Sequence, residues 1–260
     1  MVISANLGFL YTDRPLIEAV TAAKAAGFGA VECHFPYETD PQELRAVLAE
    51  TGLPLLALNT RRGNVAAGDF GLSALPGRTE EARTEIDRAI DYARAAGAGA
   101  VHVMAGRTDG GATAENTFRA NLDYAAAEAA KHGLTILIEP INHRDAKDYH
   151  LATVEQAAGI VADLKAPNLK IMFDCYHVQI AQGDVLTRFT THRDFVGHVQ
   201  IAAVPDRGEP DTGELDYQFL VPALREAGYT GPIGAEYRPR GANTEAGLGW
   251  MAASWAAGER

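Results

Sequence analysis

Short aliphatic or β-branched runs alternate along this chain with longer stretches whose apolar residues recur three and four positions apart, the patterns of buried strands and of one-faced helices. The strand-like runs fall at residues 3–7, 30–34, 54–59, 100–104, 135–138, 170–173, 196–199 and 232–235. Helical spacing fills the intervals, at 16–26, 41–51, 79–96, 113–132, 153–164, 178–195 with a break near Gly183, 216–227 and 244–257. Local signals support several boundaries. Asp40 stands as a cap before Pro41, with Glu43 three residues on, and Gly27, Gly52 and Gly97 follow helical stretches as terminators. The count is eight strands and eight helical segments with no linker or internal repeat, and 260 residues match the ~250 of a (β/α)8 barrel. The expectation is therefore a single TIM-barrel domain over residues 1–260. An open doubly wound sheet is the competing architecture, and eight regular units favour closure.

The run Thr135-Ile136-Leu137-Ile138 leads into Glu139 and Pro140, which places an acid at the carboxyl end of a buried strand, where barrels keep their chemistry. Three later runs end alike, in Asp174, Gln200 and Glu236. The separations of 35, 26 and 36 positions suit one strand, loop and helix each, a unit of ~30 residues. Parallel strands would bring all four side chains to one face. Singly, each acid reads equally well as a salt bridge or a cap. Together, three carboxylates and an amide form a hard-oxygen set suited to one Mg2+ or Mn2+ ion, and without a cation the acids would suffer mutual repulsion and desolvation.

Other residues extend this picture. His177, three positions after Asp174, is a candidate substrate contact or proton carrier; His198 and His102 read as core residues, and His34 as a residue of the barrel mouth. The glycine-punctuated loop over 60–77 is long enough for a lid or binding loop. Arginines follow several strands (Arg61, Arg62, Arg107, Arg144, Arg207, Arg238), and one or two of them could grip an anionic substrate by bidentate hydrogen bonds. Arg207 and Arg107, with Asn59 at the end of the third strand, are the substrate-binding candidates alongside His177. Arg207 reads alternatively as a partner for Glu209 or another nearby acid.

Composition narrows the partners. A net charge of -11 disfavours nucleic acid and anionic membranes, and no phosphate-binding glycine fingerprint points to a nucleotide. Cys33 and Cys175 are too few for a disulfide framework and read as reduced, buried thiols. With no membrane-length apolar run and no secretory pattern at Met1-Val2-Ile3-Ser4, a soluble, cytoplasmic protein is expected. Association into a homo-oligomer is left open.

The stretches Ile138-Glu139-Pro140-Ile141-Asn142-His143, Phe173-Asp174-Cys175-Tyr176-His177 and Gly197-His198-Val199-Gln200-Ile201-Ala202 resemble the hydroxypyruvate isomerase family of xylose isomerase-like TIM barrels. So do the loop Arg207-Gly208-Glu209-Pro210-Asp211-Thr212-Gly213-Glu214 and the run Gly234-Ala235-Glu236-Tyr237, and the likeness runs over essentially the whole chain. The resemblance implies Glu139, Asp174, Gln200 and Glu236 as metal ligands, and Glu139 and Glu236 as the catalytic pair. It implies interconversion of hydroxypyruvate and 2-hydroxy-3-oxopropanoate, a small anionic hydroxy-oxo acid substrate. Sugar 3-epimerases of the same superfamily more often carry His where Gln200 stands. A 2-oxo-tetronate isomerase or a ketose 3-epimerase is the near alternative, and a metal-dependent endonuclease the remote one.

Overall fold

A computed structural model describes residues 1–253 and Trp255. Its strands are β1 (Ile3–Asn6), β2 (Ala30–Glu32), β3 (Ala57–Asn59), β4 (Ala100–His102), β5 (Thr135–Ile138), β6 (Leu169–Asp174), β7 (Val196–Ile201) and β8 (Ile233–Ala235). All pair in parallel, in the order β2-β1-β8-β7-β6-β5-β4-β3. The two ends of that order meet through a bridge between Val31 and Leu55, and the Cys33 N–H donates to the Ala57 carbonyl at 3.0 Å. The sheet thus closes into a barrel, the architecture expected from eight regular units.

Helices α1 (Leu16–Ala25), α2 (Pro41–Thr51), α3 (Thr79–Ala96), α4 (Ala112–Ala130), α5 (Val154–Leu164), α6 (Cys175–Ala181), α7 (Val185–His192) and α8 (Tyr217–Glu226) alternate with the strands. Side-chain caps set several of their starts: Asp40 accepts from the Gln42 N–H, Thr153 from Gln156, and Asp216 from Gln218 and Phe219. The break near Gly183 separates α6 from α7, where Gly183 and Asp184 both take positive φ. Two expected elements differ. The third strand runs as a ladder only from Ala57, and the residues before it join the sheet through a single bridge, with the Val31 N–H donating to the Pro54 carbonyl and the Leu56 N–H to the Val31 carbonyl. The last helix is 3-10 in form over Glu245–Ala252, a stretch weakened by Gly247 and Gly249, and positions 254, 256 and 257 of the expected span lie outside the described residues.

Alternation along the strands divides the core in two. Ile136, Ile138, Ile171 and Phe173 point outward into the large cluster shared with the helices, while Leu137 and Met172 meet Ala57 and Ala100 inside the barrel. Two residues beyond Leu137 and Met172, on the same face, stand Glu139 and Asp174. A register shift opposite Ile171 and Met172 skips Gly197, so that Met172 pairs with His198 and Asp174 with Gln200. Without that bulge β7 would present the opposite set of side chains to the interior. Cys33 and Cys175 are free and buried, as expected.

The long loop after β3 is held to the barrel by its backbone. Gly71 bridges to Ala105 and takes φ +110, and a Cβ there would stand 2.7 Å from the Gly106 nitrogen and the Met104 carbonyl oxygen. Gly71→Ala is therefore expected to lower unfolding free energy by about 1–3 kcal/mol, read from the denaturant midpoint. Gly68→Ala, whose Cβ would meet nothing within 4 Å, should cost less; equal losses would show that the close approach is unimportant.

Candidate active site

Every strand sends at least one polar side chain to the carboxyl-terminal mouth of the barrel. Glu139 follows β5, Asp174 ends β6, Gln200 lies in β7 and Glu236 follows β8, all of them buried. The first half of the barrel adds Asn6, Glu32, His34, Asn59 and His102. A cavity of about 590 Å³ opens above them, with Glu139, His177, Arg207 and Glu236 in its wall, and Phe9, Phe35 and Phe70 supply apolar lining. Below it a void of about 10 Å³, close to the volume of one small sphere, lies among Glu139, Gln200, Glu236, Glu32 and His34.

Glu236 is bonded by three side chains. Asn6 Nδ2 donates to its Oε1 at 3.2 Å, His34 Nε2 lies 2.7 Å from the same oxygen, and Arg207 Nη2 donates to Oε2 at 3.0 Å. Burial alone would raise its pKa, but Arg207 and the His34 hydrogen bond outweigh burial and bring it to about 2. Glu139 goes the other way. Burial and the charges of Glu236 and Asp174 hold its carboxyl well above the usual range, and its Oε1 has no hydrogen-bond partner. Asp174 caps α6 by accepting the Tyr176 N–H at 2.9 Å. Burial lifts its pKa to about 7, against the pull of Arg207.

Arg207 reaches this cluster from the loop after β7. It holds φ +57, its guanidinium lies over Phe9 at 4.9 Å and over Tyr176 at 4.8 Å, and Nη2 touches Glu236 and, at 3.4 Å, Asp174. Its partners are thus the acids of the site, while Glu209 accepts from the Arg240 backbone instead. The buried Arg207 Nε has no acceptor.

His177 is oriented by Asn142. The Asn142 side-chain Oδ1 accepts the Asp145 N–H at 2.9 Å, which turns its NH2 to His177 Nδ1 at 2.6 Å. Nδ1 is then an acceptor and the ring proton sits on Nε2, 3.7 Å from both Glu139 Oε1 and Asp174 Oδ2. Burial, followed by the Arg207 charge, keeps the ring neutral by lowering its pKa well below the usual histidine value.

Glu139, Asp174 and His177 each bring one atom within 4.8 Å of the others, close enough to hold a metal ion together. The oxygen set of the sequence fits a cation as well. Glu139 Oε1 and Gln200 Oε1 are buried acceptors without donors, and both residues line the small void. In the tautomer set by Asn142, His177 Nε2 is a donor and suits a substrate oxygen better than an ion.

Of the remaining sequence candidates, Asn59 lines the cavity. Arg107 does not. Beyond Met104 the chain turns outward at Gly106, φ +100, and Arg107 Nη1 donates to the Gly68 carbonyl at 2.8 Å, buttressing the long loop. Arg62, Arg14 and Arg238 line the cavity, whereas Arg61 and Arg144 do not. His198 is the core residue expected, 3.1 Å from Glu32 Oε1. His102 departs from its expected bland role: it lines the cavity, its Nδ1 is 3.8 Å from Glu139 Oε2, and burial lowers its pKa to about 4. Glu32 and Asn6 were not among the sequence candidates. The alternation in Ala30-Val31-Glu32-Cys33-His34, which puts Glu32 and His34 on one face, was the available signal.

Residues 20–254 match the family model described as xylose isomerase-like TIM barrel. The chain belongs to that family. It is 46% identical to 2-oxo-tetronate isomerase of Cupriavidus necator, over 95% of this chain and 96% of that protein. It is 41% identical to hydroxypyruvate isomerase of Escherichia coli, over 95% and 97%. The crystal structure of AP endonuclease, family 2 from Brucella melitensis shares 40% identity and a TM-score of 0.93, covering 97% of this chain and 98% of that one. Relatives alike over nearly their whole length are named isomerases, and the chain is an enzyme of that type.

The raised carboxyls predict a pH dependence. Asp174 goes from its ordinary 3.8 to about 7 in the folded protein, so between those values the folded state holds more protons than the unfolded one. Stability of the cation-free protein at this site therefore falls as pH rises from about 4 to 7, and a divalent cation must displace protons to bind. Calorimetric titration with Mn2+ at pH 6, in buffers of different ionisation heat, is expected to show net proton release that shrinks as pH passes 7. Release that is absent, or that grows with pH, would contradict these protonation states.

Proposed function

We propose that the protein interconverts hydroxypyruvate and 2-hydroxy-3-oxopropanoate in a cation-dependent, aldose-ketose type isomerisation. The observation that carries this reading is the pair Glu139 and Glu236 in one cavity wall, set far apart in proton affinity and flanked by acceptors without donors. Such a separation suits one carboxyl to receive a proton and the other to give one. One Mg2+ or Mn2+ held by Glu139, Asp174, Gln200 and Glu236 would supply Lewis-acid polarisation of the substrate oxygens.

The residues divide the remaining work. One glutamate takes the proton leaving the hydroxymethyl carbon, and the other returns a proton to the adjacent carbon, while the hydroxyl proton passes between the two oxygens. His177 Nε2–H is a neutral donor suited to the substrate oxygen that gains charge. Arg207 Nε is a buried donor that a substrate carboxylate would satisfy, and Phe9, Phe35 and Phe70 give the cavity an apolar wall above. No helix among the described residues is long and apolar enough to cross a membrane.

A second reading keeps the site and lengthens the substrate to a 2-oxo-tetronate. The Cupriavidus necator relative and a cavity roomy for a three-carbon acid favour it. An endonuclease is the poorer fit: the candidate metal group found among the described residues has one histidine, and the charge of -11 repels a polyanion. Rates with Mg2+ or Mn2+ on hydroxypyruvate, 2-oxo-tetronates and ketoses separate these readings.

Glu139→Gln and Glu236→Gln are each expected to abolish turnover while the circular dichroism spectrum and melting transition persist. Near wild-type rates in either variant would remove the paired-glutamate assignment. Arg207→Met should lower kcat/KM on hydroxypyruvate about 10- to 150-fold, the loss of about 1.5–3 kcal/mol from a charge-assisted hydrogen bond. Neutral ketoses should lose much less; equal losses on both would reduce Arg207 to its contacts with Asp174 and Glu236.

A further inference from the structure

Glu32 ends β2 beneath the cavity floor, 2% exposed, and none of the proton transfers above employs it. Three side chains converge on its carboxylate. Ser4 Oγ donates to Oε1 at 2.5 Å, His198 Nε2 lies 3.1 Å from the same oxygen, and Gln200 Nε2 donates to Oε2 at 2.8 Å. Space for the group comes from β8: a Cβ at Gly234 would stand 2.4 Å from Glu32 Oε1.

Both oxygens of Glu32 are acceptors here, Oε1 for Ser4 and Oε2 for Gln200, whereas an amide has a donor end and an acceptor end of nearly the same size. Glu32 therefore admits one orientation of Gln200. The NH2 faces down to Glu32, and the carbonyl Oε1 is left buried, without a protein donor, in a side chain that lines the void beside Glu139 and Glu236. The reverse orientation would set two acceptors against each other at 2.8 Å and turn two N–H bonds toward a cation.

We propose that Glu32 is a positioning residue that locks the Gln200 amide with its oxygen turned to the cation site, making a neutral glutamine serve as an oxygen ligand. The inference rests on the cation reading above. It explains why an acid that touches no substrate is buried among three others.

Exchange of hydrogen-bond polarity tests it. In Glu32→Gln, the single carbonyl oxygen is best placed toward the Ser4 hydroxyl that donates to Oε1 in the unaltered protein, which leaves an NH2 facing Gln200 and forces that amide to turn over. Mn2+ affinity of the full-length, cation-stripped protein, measured by calorimetry, should fall about 10- to 100-fold with the melting temperature little changed, the usual cost of losing a partner that orients a ligand. Adding Gln200→Glu to Glu32→Gln should restore the affinity, because the new carboxylate accepts that NH2 with one oxygen and offers the other to the ion. A residue that merely filled space would give no such rescue. Unchanged affinity in Glu32→Gln, or no recovery in the double variant, would overturn the proposal.

If Glu32→Gln does not fold, the unaltered protein decides. With 15N-labelled glutamine, the side-chain NH2 signal that disappears in Gln200→Glu should exchange slowly with solvent, being buried against Glu32; rapid exchange would refute the orientation. Absence of Mn2+ binding by the wild type would remove the cation reading and this inference with it. Wild-type binding that Glu32→Gln leaves intact would remove the inference alone.

Discussion

Four buried carboxylates in one barrel mouth are the constraint around which the rest is arranged. Glu32, Glu139, Asp174 and Glu236 are each 5% exposed or less, and each charge taken from water costs several kcal/mol unless it is compensated. Three kinds of compensation are present. Arg207 pairs with Glu236 and Asp174, His198 pairs with Glu32, and Glu139 has its pKa driven up by burial and by its neighbours. Positive charge still falls short of negative, and the unpaired oxygens of Glu139 and Gln200 mark where a cation would complete the balance.

The barrel carries that cost because its strands hold the acids on a rigid frame. Outside the strands, Ile138 and Phe173 pack fully buried against the helices, and inside, Leu137 and Met172 fill the layer just below the acids. Neither layer leaves room for a carboxylate to swing away from its neighbours. Arg207 is held as firmly from above, between Phe9 and Tyr176, on a backbone with positive φ. A non-glycine residue in that conformation at a charged site is an instance of local strain retained where geometry matters.

Isomerisation of a short hydroxy-oxo acid asks for a donor and an acceptor of protons on neighbouring carbons and for donors to the oxygens between them. The opposed proton affinities of Glu139 and Glu236, the neutral His177 held by Asn142, and the unsatisfied Arg207 Nε offer those parts without a nucleophile or nucleotide. The same parts would serve a four-carbon acid, so chain length rests on the cavity wall above, where Phe9, Phe35, Phe70 and Arg62 stand.

The sequence by itself determined what depends on neighbours along the chain. Caps such as Asp40 before Pro41 act within one helical turn, and the period of two carries Glu139 and Asp174 onto the same face as Leu137 and Met172. Parallel strands then bring their ends together, so Glu139, Asp174, Gln200 and Glu236 were legible as a group. Tertiary structure decided what depends on residues far apart. Barrel closure pairs β1 with β8 and sets β2 next beyond β1, which brings Asn6 and His34 onto Glu236 and Glu32 under Gln200. The bulge at Gly197 chooses the face of β7, and loop backbones send Arg207 inward and Arg107 outward. Pairing registers and loop paths are settled by contacts over more than a hundred residues in some cases, as between Glu32 and Gln200, and no local pattern of polar and apolar positions encodes them.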